Sequence, residues 1–282
     1  MESRLQALEA LLDDTSPLVR DAVIEEVKRL GEPALAWLES LVTKKGSQVA
    51  DAAEEILGKT AGPGATSAFI RYVRGAHVEL EQGAILLQRA IYPRLDPVRV
   101  SGALDEIAQR VQDLIAIPTT SALVVRAINR VLYHELGYRG EPNVDPDPGT
   151  VLLGDVLALR RGIDLSLGLL YILVARRLGM EFLPVFLPNR MLLAHLRDRE
   201  PFLVDPFSRG RFFTWAEAQA MVPVGAMIDL QRYWEKPAEG ILRLTCERLA
   251  SIYSSRSDAE RAATFTAFCE EFGETSQESP AS

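Results

Sequence analysis

The chain has 282 residues, 48% of them apolar and 25% charged, with a formal net charge of −8, so it can bury a sizeable core in one large domain or in a core with appendages. An acidic balance without a basic block argues against a nucleic-acid groove and against docking on an anionic membrane. No apolar run approaches the roughly eighteen residues of a membrane span, the opening MESRLQALEALLDD carries charges without an apolar leader, and the expectation is a cytoplasmic protein.

The chain opens on a repeat. LLDDTSPLVRDAVIEEV from Leu11 matches LVTKKGSQVADAAEEIL from Leu41 at a shift of thirty, pairing Leu11 with Leu41, Val19 with Val49, Asp21 with Asp51, Ala22 with Ala52 and Glu25 with Glu55. Ser16 and Ser47 are expected N-caps, Pro33 suits a first helical turn, and Gly31 and Gly58 suit helix stops. The pattern resembles HEAT-type repeats, and that resemblance implies a surface for protein partners. A Gly/Pro-dense linker is expected over Thr60 to Thr66, and Gly62-Pro63-Gly64 is linker chemistry with no nucleotide signature.

Helical periodicity then predicts amphipathic helices over Glu79 to Ala90, Ala103 to Leu114 and Ser121 to Leu136, and a short one from Thr150 towards Arg161. The stretch Arg160 to Gly179 (RRGIDLSLGLLYILVARRLG) is the centre of the pattern. Asp164 is placed to cap it, Arg176 and Arg177 suit its last turn, and Gly179 its stop. Its middle is apolar on every side, which predicts a helix buried within a domain. A buried helix start favours an anion, a thiolate or a nucleophile, through unpaired amides in a low dielectric.

After Gly179 the period changes to two. Strands are expected over Phe182 to Leu187, Arg190 to Leu196 and Phe202 to Val204, with Pro184 putting the first at an edge. Thr214 to Glu217 and Ser257 to Glu260 read as helix starts. Leu242, Cys246, Leu249 and Tyr253 should face Phe265, Phe268, Cys269 and Phe272 across a hairpin that resembles a tetratricopeptide pair. Gly273 to Ser282 reads as a disordered tail. Cys246 and Cys269 are the only cysteines; their positions exclude a disulfide framework and suit buried thiols.

ELGYRGEPN from Glu135, LLGDVLALRRGIDLSLGLLYILVARRLG from Leu152, FLPNRMLLAHL from Phe186 and VDPFSRG from Val204 together resemble the bacterial SirB family, which carries a transglutaminase-like domain. The resemblance implies a fold like that of papain-like thiol enzymes, with a cysteine at the start of the central helix, a histidine on the next strand and an aspartate on the one after. The cysteine position falls on Asp164 to Ser166, where no thiol stands. The histidine position falls on Arg190, and a guanidinium cannot act as a base near neutral pH. Only Asp205 keeps the family's residue type. A substituted triad of Ser166, His195 and Asp205 has the right chain order, yet His195 lies five positions from Arg190 and so points to the opposite sheet face unless a bulge intervenes.

Other signatures point away from an enzyme. No G-x-S-x-G surrounds Ser166, no H-E-x-x-H follows His134, and His77, His134 and His195 are scattered without metal-ligand spacing. Asp145 and Asp147 stand between prolines in an expected solvated turn. Arginine is concentrated between Leu159 and Phe212, with nine arginines against five acids and a local excess of +4. Arg190 is expected to pair with Asp164 or Asp205, or else to fork onto a ligand's carboxylate or phosphate.

The resulting expectation is an α+β, mostly helical fold with a transglutaminase-like core over 79–215, a buried helix against a small antiparallel sheet. Flanking it are HEAT-like repeats over 1–59, a linker and connecting helix over 60–78, C-terminal helices with a tetratricopeptide-like hairpin over 216–272, and a tail over 273–282. The expected function is non-catalytic, binding a protein partner through the N-terminal repeats, with a degenerate site at Asp164, Ser166, Arg190 and Asp205 and with no cofactor or metal. The rival is an amide-bond hydrolase or acyltransferase using Ser166, and a third reading is an anion-binding sensor.

Overall fold

A computed structural model describes residues 2–9, 11–12, 16–31, scattered positions between 34 and 56, and then 62–141, 147–187, 190–221 and 234–272. The proposed caps and turns at Pro33, Ser47, Gly58 and Asp145, and the tail after Phe272, lie outside the described residues. Two compact units are formed, one from Met1–Tyr72 with Leu86–Leu95 and the other from Val73–Ile85 with Asp96–Ser282.

In the first unit, helices α1 (Glu2–Glu9) and α2 (Pro17–Leu30) bring Leu8, Val23, Ile24 and Val27 into a cluster with Ala34, Leu38, Leu41, Ala53 and Ile56. Pro17 opens α2 after Ser16, whose side chain makes no capping bond, and Gly31 ends it at φ 66°. The thirty-residue match only partly tracks burial: Leu41 and Ala52 are buried, while their counterparts Leu11 and Ala22 are exposed. At the same shift Leu8 and Leu38, and Val23 and Ala53, are all buried. Gly62–Val73 forms a helix, α3, where Gly and Pro density predicts a linker; Pro63 is its second residue, a position where a missing N–H costs nothing.

In the second unit α4 (Leu80–Arg89), which begins there, is followed by α5 (Pro97–Gln112) and α6 (Ser121–Asn129). Helix α5 opens at Pro97, ahead of the expected Ala103, because the Asp96 side chain caps it by accepting from the Val98 amide at 3.0 Å. Helix α6 passes into a π-helical turn over Arg130–Glu135. A 3-10 turn at Pro148–Thr150, capped by Asp147, leads to α7 (Leu153–Leu159), and the short parallel strands β1 (Arg139–Gly140) and β2 (Arg161–Gly162) pair beside it.

The central helix α8 (Asp164–Arg177) is buried without interruption from Leu165 to Ala175. Its N-cap is Ile163, with no side-chain capping bond, and Asp164 stands in the first turn in place of the expected capping role. It packs on a four-stranded antiparallel sheet of β3 (Leu183–Leu187), β4 (Arg190–His195), β5 (Phe202–Asp205) and β6 (Arg211–Phe213), in that order. Strand β3 is at an edge, as Pro184 requires. Close contact depends on Gly168, where a Cβ would stand 2.9 Å from Met191 Cε of β4. The other sheet face carries Val185, Leu192, Ala194, Leu203 and Phe213 into a second cluster with Ala218.

Helix α9 (Trp215–Ala220) opens with the expected capping box between Thr214 and Glu217. Helices α10 (Pro237–Ser255) and α11 (Ala259–Glu270) form the C-terminal hairpin, joined by Tyr253 and Phe265 rings stacked at 5.7 Å. Asp258 caps α11, displacing the expected start at Ser257, which turns the chain at φ 60°. The hairpin clusters in the same compact unit as the sheet. The fold is thus α+β and mostly helical, with a small antiparallel sheet. No helix among the described residues is long and apolar enough to cross a membrane.

The end of α8 is clamped by Arg177, whose two Nη atoms reach Glu81 of α4 at 2.8 and 3.0 Å while its Nε reaches Asp105 of α5. Burial tends to raise the Glu81 pKa, but hydrogen bonds from Arg177 and Ser101 outweigh it and leave the carboxyl below its ordinary value of 4.5. A depressed carboxyl stabilises the fold above its unfolded pKa, and that contribution disappears as pH falls through the folded value. Urea unfolding between pH 3 and 7 should therefore show a steeper acid-side loss in the native protein than in Glu81→Gln, by less than about 1 kcal/mol after solvent screening. Parallel curves for the two proteins would remove the clamp from the acid response.

Candidate functional site

Asp205 ends β5 with its side chain fully buried, and accepts from Arg190 Nη1 of β4 at 2.8 Å and from the Ser208 amide at 3.1 Å. Arg190 is 35% exposed, so the pair lies at the rim with one buried and one accessible partner. The turn after Asp205 is fixed by the Gly210 amide donating to the Asp205 carbonyl at 2.8 Å. Asn129 of α6 donates to the Gly210 carbonyl at 2.8 Å and accepts from the Tyr171 hydroxyl of α8 at 3.0 Å. Burial pushes the Tyr171 phenol well above its usual pKa, which keeps it a donor. This chain of bonds ties the central helix to the Asp205 turn, and neither Asn129 nor Tyr171 carries a motif that announces it.

Ser166, in the first turn of α8, is 1% exposed. Its hydroxyl faces two backbone carbonyls, Thr150 O at 2.6 Å and Ile163 O at 3.1 Å. A proton directed at carbonyl acceptors is not delivered to a base. His195 is buried elsewhere: Nδ1 donates to Glu181 O at 3.0 Å, Nε2 lies 3.2 Å from Asp198 Oδ1, and the ring packs against Phe182 and Phe202. The pairing of β3 with β4 runs in regular register from Leu187 opposite Arg190 to Leu183 opposite Ala194, without a bulge. Arg190 and His195 therefore point to opposite faces. Ser166, His195 and Asp205 are not brought together, and the partners of each are other groups.

Arg190 and Asp164 line one cleft, of about 290 Å³, at the amino end of α8. Leu165 comes from the same helix, Phe186, Leu187 and Met191 from the β3–β4 hairpin, and Leu244, Glu247, Arg248 and Ser251 from α10. The sequence does not announce this last wall, because those residues lie far along the chain on what reads as an ordinary helix surface.

The other arginines of the rich segment disperse. Arg177 serves the clamp, Arg160 donates to Leu136 O at 3.1 Å from a left-handed backbone at φ 56°, and Arg197 meets Glu181 at 2.6 Å. Both cysteines lie on the C-terminal hairpin. Cys246 is buried, and burial pushes its thiol well up; Cys269 is only half-buried, and a hydrogen bond from Cys246 lowers its pKa. His77 and His134 are exposed, and among the described residues no group of three or more His, Cys, Asp or Glu is placed to hold a metal ion.

The candidate residues thus sit on a buried helix packed on a small antiparallel sheet, with an aspartate ending one strand and a cleft at the helix start. Residues 99–238, which hold α8 and the whole sheet, match the family model described as the transglutaminase-like superfamily, so this segment is a transglutaminase-like domain. The chain is 29% identical over 191 residues to a UPF0162 protein of Xylella fastidiosa strain 9a5c, covering 64% of this chain and 66% of that protein. It is 33% identical over 132 residues to the UPF0162 protein of Xylella fastidiosa strain Temecula1, covering 45% and 46%. A shorter stretch is 32% identical over 107 residues to mouse (Mus musculus) F-box only protein 21, covering 35% of this chain and 17% of that protein. The chain thus spans less than two thirds of the length of these relatives. No solved structure matches it significantly.

Removing Arg190 leaves the buried Asp205 carboxylate without its cation. Arg190→Met should lower stability by about 3–5 kcal/mol, and adding Asp205→Asn to it should restore a large part. Independent, additive losses in denaturant melts would show that the two side chains are not coupled. Gly210 sits at φ 72°, and a Cβ there would overlap the Asn129 amide. Gly210→Ala is accordingly expected to cost more than about 2 kcal/mol, read as a drop in Tm, and an unchanged Tm would contradict the tight turn.

Proposed function

We propose that the protein is a non-catalytic member of the transglutaminase-like group that acts by binding, with protein partners engaged through its N-terminal helices and a small cleft retained where a thiol enzyme would hold substrate. The observation that carries this reading is the 2.8 Å bond from Arg190 to Asp205. A guanidinium stands where the resemblance puts the general base, and it is bonded to the aspartate that would orient such a base. A guanidinium carries a permanent charge and cannot take a proton from a nucleophile. The start of α8 offers Asp164, Leu165 and Ser166 in place of a thiol.

The kinship of the amino-terminal helices with HEAT-type repeats, of the C-terminal hairpin with tetratricopeptide pairs, and of the domain with SirB-type proteins belongs to the same proposal. It is supported by the thirty-residue match, by the stacked Tyr253–Phe265 pair across the hairpin and by the order of the motifs. The rival enzyme, an amide-bond hydrolase or acyltransferase acting through Ser166, needs a base within reach of that hydroxyl, and the hydroxyl's partners are carbonyls.

Incubation with hydroxyl-directed and thiol-directed acylating probes, read by mass spectrometry, separates the two. The expected result is no adduct on Ser166 and thiol labelling confined to the half-buried Cys269. A Ser166 adduct that disappears in Ser166→Ala would make the protein an enzyme with a replaced nucleophile.

A further inference from the structure

The cleft at the amino end of α8 contains one cation with no protein partner in view. Arg248 projects from α10 into the cleft, half-buried, and makes no hydrogen bond or ion pair with a described residue. A guanidinium held partly out of water has lost hydration that only an acceptor can replace, and a planar fork of donors suits a carboxylate. Arg190, across the same cleft, spends only Nη1 on Asp205 and Ser208; its Nε and Nη2 donate to no described residue.

Neither acid that shares the cleft is bonded to Arg248. Glu247 is held by Arg243 at 2.9 Å, and Asp164 is engaged within the protein. The first turn of α8 opens on Ile163 without a side-chain cap, which adds its amide dipoles to the positive side of the balance. Beneath the charges the floor is apolar, with Leu165 7% and Met191 1% exposed. A volume of about 290 Å³ is at the small end for ligand sites, which run from roughly 300 Å³ upward.

We propose that this cleft binds a carboxylate carried on an aliphatic body, with the Arg248 fork on the carboxylate, the free edge of Arg190 beside it, and the aliphatic group on Leu165 and Met191. The proposal rests on the binding reading of the same site. One wall comes from α10 beyond Trp234, outside the segment 99–238 that matches the family, so selectivity is supplied by the C-terminal hairpin. The carboxylate has two sources with the same chemistry, a free branched short-chain acid and the C-terminus of a peptide ending in an aliphatic residue.

Isothermal titration of the full chain with 4-methylpentanoate, with an N-acetylated tripeptide ending in leucine, and with the C-terminal amide of that tripeptide tests the site. Arg248→Gln is the site variant and Arg110→Gln, an exposed arginine on α5, is the control; circular dichroism verifies that both fold. The acid form should bind at least tenfold more tightly than the amide, and Arg248→Gln should lose at least tenfold while Arg110→Gln loses nothing. Tighter binding of the peptide acid than of 4-methylpentanoate assigns the chain end as the source, and the reverse order assigns the free acid. Equal binding of acid and amide, no binding of either acid, or full affinity in Arg248→Gln would each overturn the proposal. Mass spectrometry of the recovered peptides tests the underlying reading separately: cleavage at either end would overturn the non-catalytic assignment, and intact peptide that binds through Arg248 supports both.

Discussion

A helix with no solvent face is the constraint on which the second unit depends. From Leu165 to Ala175 every side chain of α8 is buried, so each direction around its axis has to be covered by something else. The sheet covers one side, made close by Gly168 against Met191, and α5, α7 and α10 pack on others. Once the helix is enclosed, its polar groups must find partners inside. Ser166 takes backbone carbonyls, Tyr171 takes Asn129, and Arg177 at the exposed end takes Glu81 and Asp105. Each of these bonds also locates a neighbouring segment, so the buried helix serves as the reference against which the rest is placed.

The same enclosure explains the chemistry at its amino end. The family resemblance puts a nucleophile there and a base on the next strand. Here the strand position carries Arg190, and the fully buried Asp205 binds it together with the Ser208 amide. The pair holds the strand ends together, since the Asp205 carboxylate alone would be buried without compensation. What is left at the surface is a small cleft with apolar walls and cationic edges.

Much of this is legible in the residues. The unbroken apolar run of α8, the switch to a period of two after Gly179, and Pro184 at an edge all follow from local rules, because helix and strand periodicity depend on neighbours in the chain. The alternation of side chains along a strand is enough to separate Arg190 from His195. Local rules were less informative at element ends. Asp96 and Asp258 cap helices from positions that the apolar pattern does not mark, and Ile163 is the N-cap of α8 where residue type favours Asp164. The helix at Gly62–Val73 forms in spite of its glycines, since Pro63 in a first turn is compatible with helix. The strand Arg211–Phe213 is too short to show a period at all.

By itself the sequence determined the class of fold, the place of the central helix and the absence of a thiol and a base from the positions where the resemblance puts them, because all of these are properties of residue type and local spacing. Only the tertiary structure decided which of two aspartates Arg190 would choose, that the Ser166 proton would be turned towards Thr150 and Ile163, and that α10 would close the cleft with Arg248. Those outcomes depend on contacts between residues far apart in the chain. A side chain that reads as an ordinary charged position on a helix surface acquires a role only when packing determines what lies across from it.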